Sequence, residues 1–404
     1  MNVKLGILTT HPIQYQVPWF RLLARTPGVD LTVYYCQIPD ARQQGDGFGV
    51  SFQWDVPLLD GYSHRVLRNV ARQASVSRFD GCNTPEIRSI VAREGFDAFI
   101  VNGWVVRSCL QALFACRLAG VPCLVRGESN ALRRRPLPIR LMHRLLLRQY
   151  AACLVIGRSN RDFYLRNGVP EKRLFWTPYG VENERFAAGA RAFAGDRMAW
   201  RRRWGIPENA CVFLFSGKLI PKKRPEDVLH ALALLADQAS LPEAAHLLIA
   251  GEGERMAACR QFAAEHHLPV SFAGFLNQSE MPAAYAAADC LVLPSDAGET
   301  WGLVVNEAMA CGLPAIVSDR VGCQADLVDD TTGRVFRCGD VAGLAGCIRD
   351  LTADPIMRRA MADAARLRVG AYSVEAVVAG ALAAIRHVSP VAGGLLQDGG
   401  GCRA

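Results

Sequence analysis

Several common features are missing from this chain, and each absence narrows what it does. No Asp-x-Asp occurs in its 404 residues, so the paired-carboxylate cation site of that spacing is excluded. Fourteen cysteines are present, yet no two stand as Cys-x-x-Cys. Most lie inside apolar runs (Cys153, Cys211, Cys290, Cys311), as free core thiols of a reducing compartment do. No stretch reaches the roughly 18–20 uncharged apolar residues of a membrane-spanning helix. The N-terminal run from Met1 to His11 reads as a first strand and its loop, without the apolar length or small-residue cleavage site of a signal peptide. These absences predict a cytoplasmic protein. Aromatic residues are not interleaved with the basic ones, which argues against nucleic acid as a partner.

Half of the residues are hydrophobic and 21% are charged, enough to build buried cores. The length favours two domains. Charge is unevenly divided. Residues 1–200 carry 27 Lys/Arg against 15 Asp/Glu, and residues 201–404 carry 19 against 23, so the halves should meet different partners.

Apolar strand-like runs alternate with helical stretches in the βαβ rhythm of a parallel sheet. The first set is Leu5–Leu8, Leu31–Tyr35, Ala98–Val101, Cys123–Val125 and Cys153–Ile156, with helices over Ser108–Ala119 and 138–150. The second is Val212–Phe215, Leu247–Ala250, Val270–Phe272, Cys290–Leu293 and Ala315–Val317. The predicted class is α/β, with two Rossmann-like domains. In such sheets ligands bind beyond the carboxyl ends of the strands.

The most informative run is 296–314, Asp-Ala-Gly-Glu-Thr-Trp-Gly-Leu-Val-Val-Asn-Glu-Ala-Met-Ala-Cys-Gly-Leu-Pro. A turn containing Gly298, Thr300, Trp301 and Gly302 leads into an apolar helix, closed by Gly312 and Pro314. Backbone N–H groups at Gly302 and Leu303 would open from the helix start, a ready site for a phosphate. Glu307, expected in the first turn, would repel a phosphate beside it and suits ribose hydroxyls. Glu299 would stand on the other side of the same diphosphate. The alternative is an ordinary loop and amphipathic helix.

This run resembles the signature of retaining glycosyltransferases of the GT-B fold, family 4 (glycosyl transferases group 1). Their pattern of Glu, seven residues, Glu and Ala-Met-Ala-x-Gly-x-Pro is filled throughout. The resemblance extends to Ser216-Gly217-Lys218 through Lys223, similar to Gly-Arg-Leu-x-x-x-Lys, whose two cations grip the donor diphosphate. Lys218 replaces the usual Arg; it brings a point charge without the bidentate fork. Glycosyl transfer expels a nucleoside diphosphate, and two cations with helix amides would stabilise the charge growing on it. Such loops are otherwise usually solvated turns. Gly251-Glu252-Gly253 and Gly274-Phe275-Leu276 match segments near the nucleotide base. Thr177 to Glu182 with Phe186 resembles the domain junction.

What the resemblance implies is a nucleotide-sugar donor, UDP- or GDP-linked (GDP-mannose among them), used without a cofactor or metal, since Asp-x-Asp marks the metal-dependent transferases. Catalysis would rest on Glu299, Lys223 and Lys218, with Glu299 on the donor hexose. The two Rossmann-like domains would face each other across a cleft, 1–185 for the acceptor and 186–371 for the donor, with 187–205 as a polar connection. Helix 372–388 would return to the first domain, and 389–404 form a disordered tail.

The first domain departs from the family pattern. The usual glycine pair after the first strand is replaced by Thr9-Thr10-His11-Pro12-Ile13-Gln14-Tyr15. Glu128, followed by Ser129, stands where many relatives have a histidine. His11, Gln14, Asn102, Glu128 and Ser129 are the candidate acceptor or sugar contacts, with a capped loop as the alternative for His11.

Between Arg126 and Arg148 there are seven arginines and one acid. Arg140, Arg144 and Arg148 share a helical face, with Arg133, Arg134 and Arg135 just before it. Three readings stand: a peripheral site for the anionic inner face of the cytoplasmic membrane, bringing the enzyme to a lipid-linked acceptor; a grip on an anionic soluble acceptor; or a core helix with an exposed basic stripe. The acceptor is expected to be lipid-linked or a polysaccharide precursor. Rival functions are a sugar-nucleotide epimerase and a non-catalytic sugar-nucleotide binding subunit.

Overall fold

The computed structural model describes residues 2–242 and 244–389. The chain divides into two units. One comprises residues up to Pro39, Pro57–Tyr179 and the chain from Val374; the other comprises Asp40–Val56 and Gly180–Ser373. The expected tail lies outside the described residues, apart from Ser389.

The first unit is a seven-stranded parallel sheet: β1 Val3–Thr9, β2 Val29–Tyr35, β3 Ser63–Val66, β4 Ala98–Val101, β5 Cys123–Val125, β6 Ala152–Val155 and β7 Leu174–Trp176, in spatial order 3-2-1-4-5-6-7. The central strands are buried on both faces, which is why they read as continuous apolar runs. Helix Val374–Val388 packs Val377, Val378, Ala384 and Ile385 into the core formed by β1, β2 and helix Val17–Arg25.

The second unit is a six-stranded parallel sheet: β8 Cys211–Ser216, β9 Ala245–Ala250, β10 Val270–Gly274, β11 Cys290–Leu293, β12 Ala315–Ser318 and β13 Gly333–Phe336, in order 10-9-8-11-12-13. Both sheets reverse strand order once, between β1 and β4 and between β8 and β11. A crevice opens at such a reversal, because the flanking loops run to opposite sides.

Three strands were not expected from sequence: β3, β7 and β13, all at sheet edges. β3 is exposed at all four residues, so it carries no apolar run to betray it.

The expected polar connection over 187–205 is instead built into the second unit as helices Asn183–Ala194 and Arg197–Arg203. The physical reason is Asp289. Its carboxylate pairs with Arg197 at 2.7 Å and with Arg201 at 2.8 Å, and accepts the Val212 amide at 2.8 Å. Arg201 also donates to the carbonyls of Ala287, Glu208 and Ala210, so four of the five N–H groups of its buried guanidinium are bonded. The stretch Pro355–Val388 is apolar enough by composition to be a spanning candidate. It is two helices, Pro355–Gly370 and Val374–Val388, that belong to different units.

Candidate functional site

The two strongest motifs emerge from the strands flanking the reversal in the second sheet. Gly217 to Lys223 follows β8, which ends on the buried Ser216, and Ser295 to Gly302 follows β11. The loops are tied together by backbone bonds. The Asp296 amide donates to the Lys222 carbonyl at 2.9 Å, and the Glu299 amide to the Asp296 carbonyl at 3.0 Å. The loops after β8, β9 and β10 are joined similarly: Gly217 N–H to Ala250, Leu219 N–H to Glu252, Gly251 N–H to Gly274. Gly251 must be glycine, because a Cβ there would lie 1.9 Å from the Gly217 carbonyl oxygen at φ +149°. Gly217, Gly251, Gly253, Gly274 and Phe275 therefore share one strand-end surface, with Leu276 next in the chain.

Lys223 forms an ion pair with Glu299, and both side chains are largely buried. Burial alone would raise the Glu299 carboxyl. The Lys223 ammonium in contact with it, with Lys222 and the Ser295 hydroxyl behind, outweighs this and holds it below its ordinary value. Glu299 is thus an anion at neutral pH. Lys218 is held by the Asp46 carbonyl, which accepts from its Nζ at 2.5 Å. Desolvation, with the neighbouring Lys222 and Lys223, lowers its basicity against the opposing pull of the Asp46 carboxylate.

The helix after the turn spans Leu303–Ala310, with Gly302 at φ +100° as its N-cap and Gly312 at φ +81° beyond its end. The Gly302 and Leu303 amides have no backbone acceptor among the described residues. Glu307 is not in the first turn, as expected, but in the second, where it is buried. Its carboxylate accepts the Tyr285 hydroxyl at 2.5 Å. Burying a carboxylate needs such a donor, and Tyr285, on helix Met281–Ala287, has no sequence signal that marks it. Trp301 is also buried, its indole N–H donating to Asn306 at 2.8 Å and its ring packed near Tyr372. Thr300, next to it, is exposed.

In the first unit, β1 and β4 end beside each other. Gln16, overlooked in favour of Gln14, joins them: its side-chain oxygen accepts from Thr9 and from Asn102, both at 3.1 Å. The Asn102 side-chain oxygen is buried without a partner. His11 is within 2.9 Å of the Thr10 hydroxyl through Nδ1. Glu128 accepts the Tyr179 hydroxyl at 2.7 Å, and Arg126 stacks over the same ring at 4.6 Å. Arg126 thus reaches Glu128 through the phenol. The Ser129 carbonyl accepts from Asn160 at 2.7 Å.

Helix Leu137–Leu147 buries only His143 and Leu147. Leu137, Leu141 and Leu145 form an exposed apolar stripe at 52–63% exposure, beside the stripe of Arg140, Arg144 and Arg148. A cavity of about 500 Å³ at the start of this helix is lined by Arg133, Arg134, Arg135, Arg140 and Arg166, with Phe163 as its apolar wall. Arg166 lies outside the basic run seen in the sequence and joins it only in the fold.

Residues 196–368 match the family described as Glycosyl transferases group 1. A D-inositol 3-phosphate glycosyltransferase of Geodermatophilus obscurus is 34% identical over 225 residues, covering 54% of this chain and 48% of that protein. A GDP-mannose-dependent monoacylated alpha-(1-6)-phosphatidylinositol monomannoside mannosyltransferase of Corynebacterium glutamicum is 32% identical over 200 residues, covering 48% and 51%. The chain thus spans about half the length of these curated relatives. Among solved structures, a glycosyltransferase of Rickettsia africae superposes with TM-score 0.75 at 13% identity, over 96% of this chain and 98% of that one. Anabaena Alr3699/HepE in complex with UDP and glucose gives TM-score 0.69 at 15% identity, over 94% and 98%. The fold is therefore GT-B, and the match to the glycosyl transferases group 1 family is carried by residues 196–368.

Proposed function

We propose that this protein is a retaining, metal-independent glycosyltransferase that moves a sugar from a nucleoside-diphosphate donor to a glycan or lipid-linked acceptor. The observation that carries the reading is the Lys223–Glu299 pair at the strand-order reversal of the second sheet, beside the open amides of Gly302 and Leu303. The pair offers a cation for the departing diphosphate and an anion for hydroxyls of the transferred sugar. Lys218 and the helix amides add to the neutralising charge, the work a divalent ion does elsewhere. Glu307 takes the ribose. Its second-turn position keeps the carboxylate away from the phosphate, which removes the repulsion a first-turn acid would bring.

In the reaction the sugar–phosphate bond breaks and the acceptor oxygen bonds to the same face of the sugar. The leaving diphosphate oxygen takes the acceptor proton, so charge and atoms balance without a separate base. Both UDP and GDP donors are compatible with these contacts. The first unit supplies the acceptor contacts, from His11, Gln14, Asn102, Glu128 and Ser129. The exposed leucine and arginine stripes of helix Leu137–Leu147 support seating on the anionic inner face of the cytoplasmic membrane.

The experiment is turnover of a panel of UDP- and GDP-sugars with a membrane or polysaccharide extract, in the presence of a chelator. Transfer of label to the extract with retained anomeric configuration is expected. A product formed without acceptor would point to epimerisation instead, and nucleotide binding without turnover to a non-catalytic subunit.

A further inference from the structure

Residues Asp40–Val56 come from the first half of the chain, between segments of the first unit, yet they belong to the second unit. The segment is firmly seated. Asp40 and Gln43 form a reciprocal cap on the short helix Ala41–Gln44, and the Gln44 side chain accepts the Trp54 amide at 3.1 Å. At the far end the Asp55 carboxylate accepts the Ser279 amide and hydroxyl, and Asn277 donates to the Gln53 carbonyl at 2.8 Å. Phe52 lies against Phe275 with ring centres 4.2 Å apart, and Phe48 meets the same ring edge-on at 5.2 Å.

The middle of the segment touches Lys218. The Asp46 carbonyl accepts from Nζ, and the Phe48 ring centre lies 5.0 Å from the same nitrogen. Gly47 lies along the lysine stem at φ +79°, where a Cβ would stand 3.0 Å from Cδ. Lysine is a flexible stem ending in a point charge, and it lacks the guanidinium fork that orients itself on a diphosphate. An ammonium has three donors. A neutral carbonyl takes one and an aromatic face shields another side, so the charge stays intact and donor capacity remains for an anion.

We propose that Asp40–Val56 is a positioning strap of the donor site, in which the Asp46 carbonyl and the Phe48 ring hold the Lys218 ammonium in place for the diphosphate of a nucleotide. This rests on the donor reading given above. The strap supplies the orientation that an arginine would carry in its own geometry, and it fixes the lysine before the ligand arrives. Ordering one long side chain in advance is worth about two- to tenfold in affinity.

The test is a double-mutant cycle on UDP and GDP binding, followed by titration calorimetry with the full chain. Phe48→Ala should weaken nucleotide binding about two- to tenfold when Lys218 is present. It should have no further effect in Lys218→Ala, where there is no ammonium left to position. Phe48→Tyr, which keeps the ring face, should bind as the wild type does. Melting of the free protein checks that each variant is folded, and Gly47→Ala probes the same contact from the backbone. Independent, multiplying losses from Phe48→Ala and Lys218→Ala would overturn the proposal. So would tighter binding in Phe48→Ala, which would make the segment a brake. Wild-type protein that binds neither nucleotide overturns the donor reading and the strap with it, whereas binding indifferent to Phe48 overturns the strap alone.

Discussion

Lys223 and Glu299, which leave the ends of adjacent strands β8 and β11, form a largely buried ion pair. Removing one partner leaves the other charge uncompensated, a change that costs about 3–5 kcal/mol in buried pairs. Lys223→Ala and Glu299→Ala should therefore lower the melting temperature. Each should also reduce sugar transfer by about two to three orders of magnitude, the usual effect of deleting a group that stabilises developing charge. Full retention of transfer in both variants would contradict their assigned roles.

The Tyr285 hydroxyl bonded to Glu307 predicts a separable effect. Glu307→Ala should mainly weaken nucleotide binding and leave the turnover of saturated enzyme less affected. Tyr285→Phe should cost about 1–3 kcal/mol of stability, because a buried carboxylate loses a donor. Calorimetric nucleotide titration and denaturant melts measure the two. Unchanged donor affinity in Glu307→Ala would remove the ribose assignment.

Vesicle binding tests the first unit. Lys/Arg residues near an anionic lipid surface contribute about 1 kcal/mol each, screened by salt. Arg133→Ala, Arg134→Ala and Arg140→Ala should each weaken co-sedimentation with anionic vesicles about fivefold at low salt. Leu141→Ser and Leu145→Ser should weaken it in a manner salt does not restore. Binding equal to that seen with neutral vesicles would discard the membrane reading.

His246 gives a pH dependence. Burial, aided by Arg201, lowers its pKa to about 4, and its Nε2 lies 2.8 Å from the Ser271 hydroxyl. The unfolded chain takes up this proton near pH 6.5 while the folded one resists it to about 4. The stabilisation of the neutral form is thus complete above pH 6.5 and is lost as pH falls through that window, by about 3 kcal/mol at most. Denaturant melts at pH 7, 6 and 5 should show the decline, and His246→Asn should flatten it. An equal slope in the variant would assign the effect to other groups.

Legibility in the sequence followed burial. Ala98–Val101, Cys123–Val125 and Cys290–Leu293 were readable to the residue, because a strand covered on both faces must be an unbroken apolar run. Ser63–Val66 was not, because an edge strand needs only backbone pairing. Arg197 and Arg201 suggested a polar connection, since nothing local announces the Asp289 carboxylate that pairs with both. The turn from Gly298 to Gly302 and the following helix were legible from their glycines and apolar spacing, but not which turn of the helix would hold Glu307 clear of solvent.

Local chemistry alone thus determined the class of the fold, since strand burial and helix starts depend on neighbours in the chain. Tertiary structure decided the pairings: Lys223 with Glu299, Tyr285 with Glu307, Gln16 between Thr9 and Asn102, and Asp46 with Lys218. These join distant segments, and their partners are selected by the order of strands in a sheet, which no stretch of sequence carries by itself.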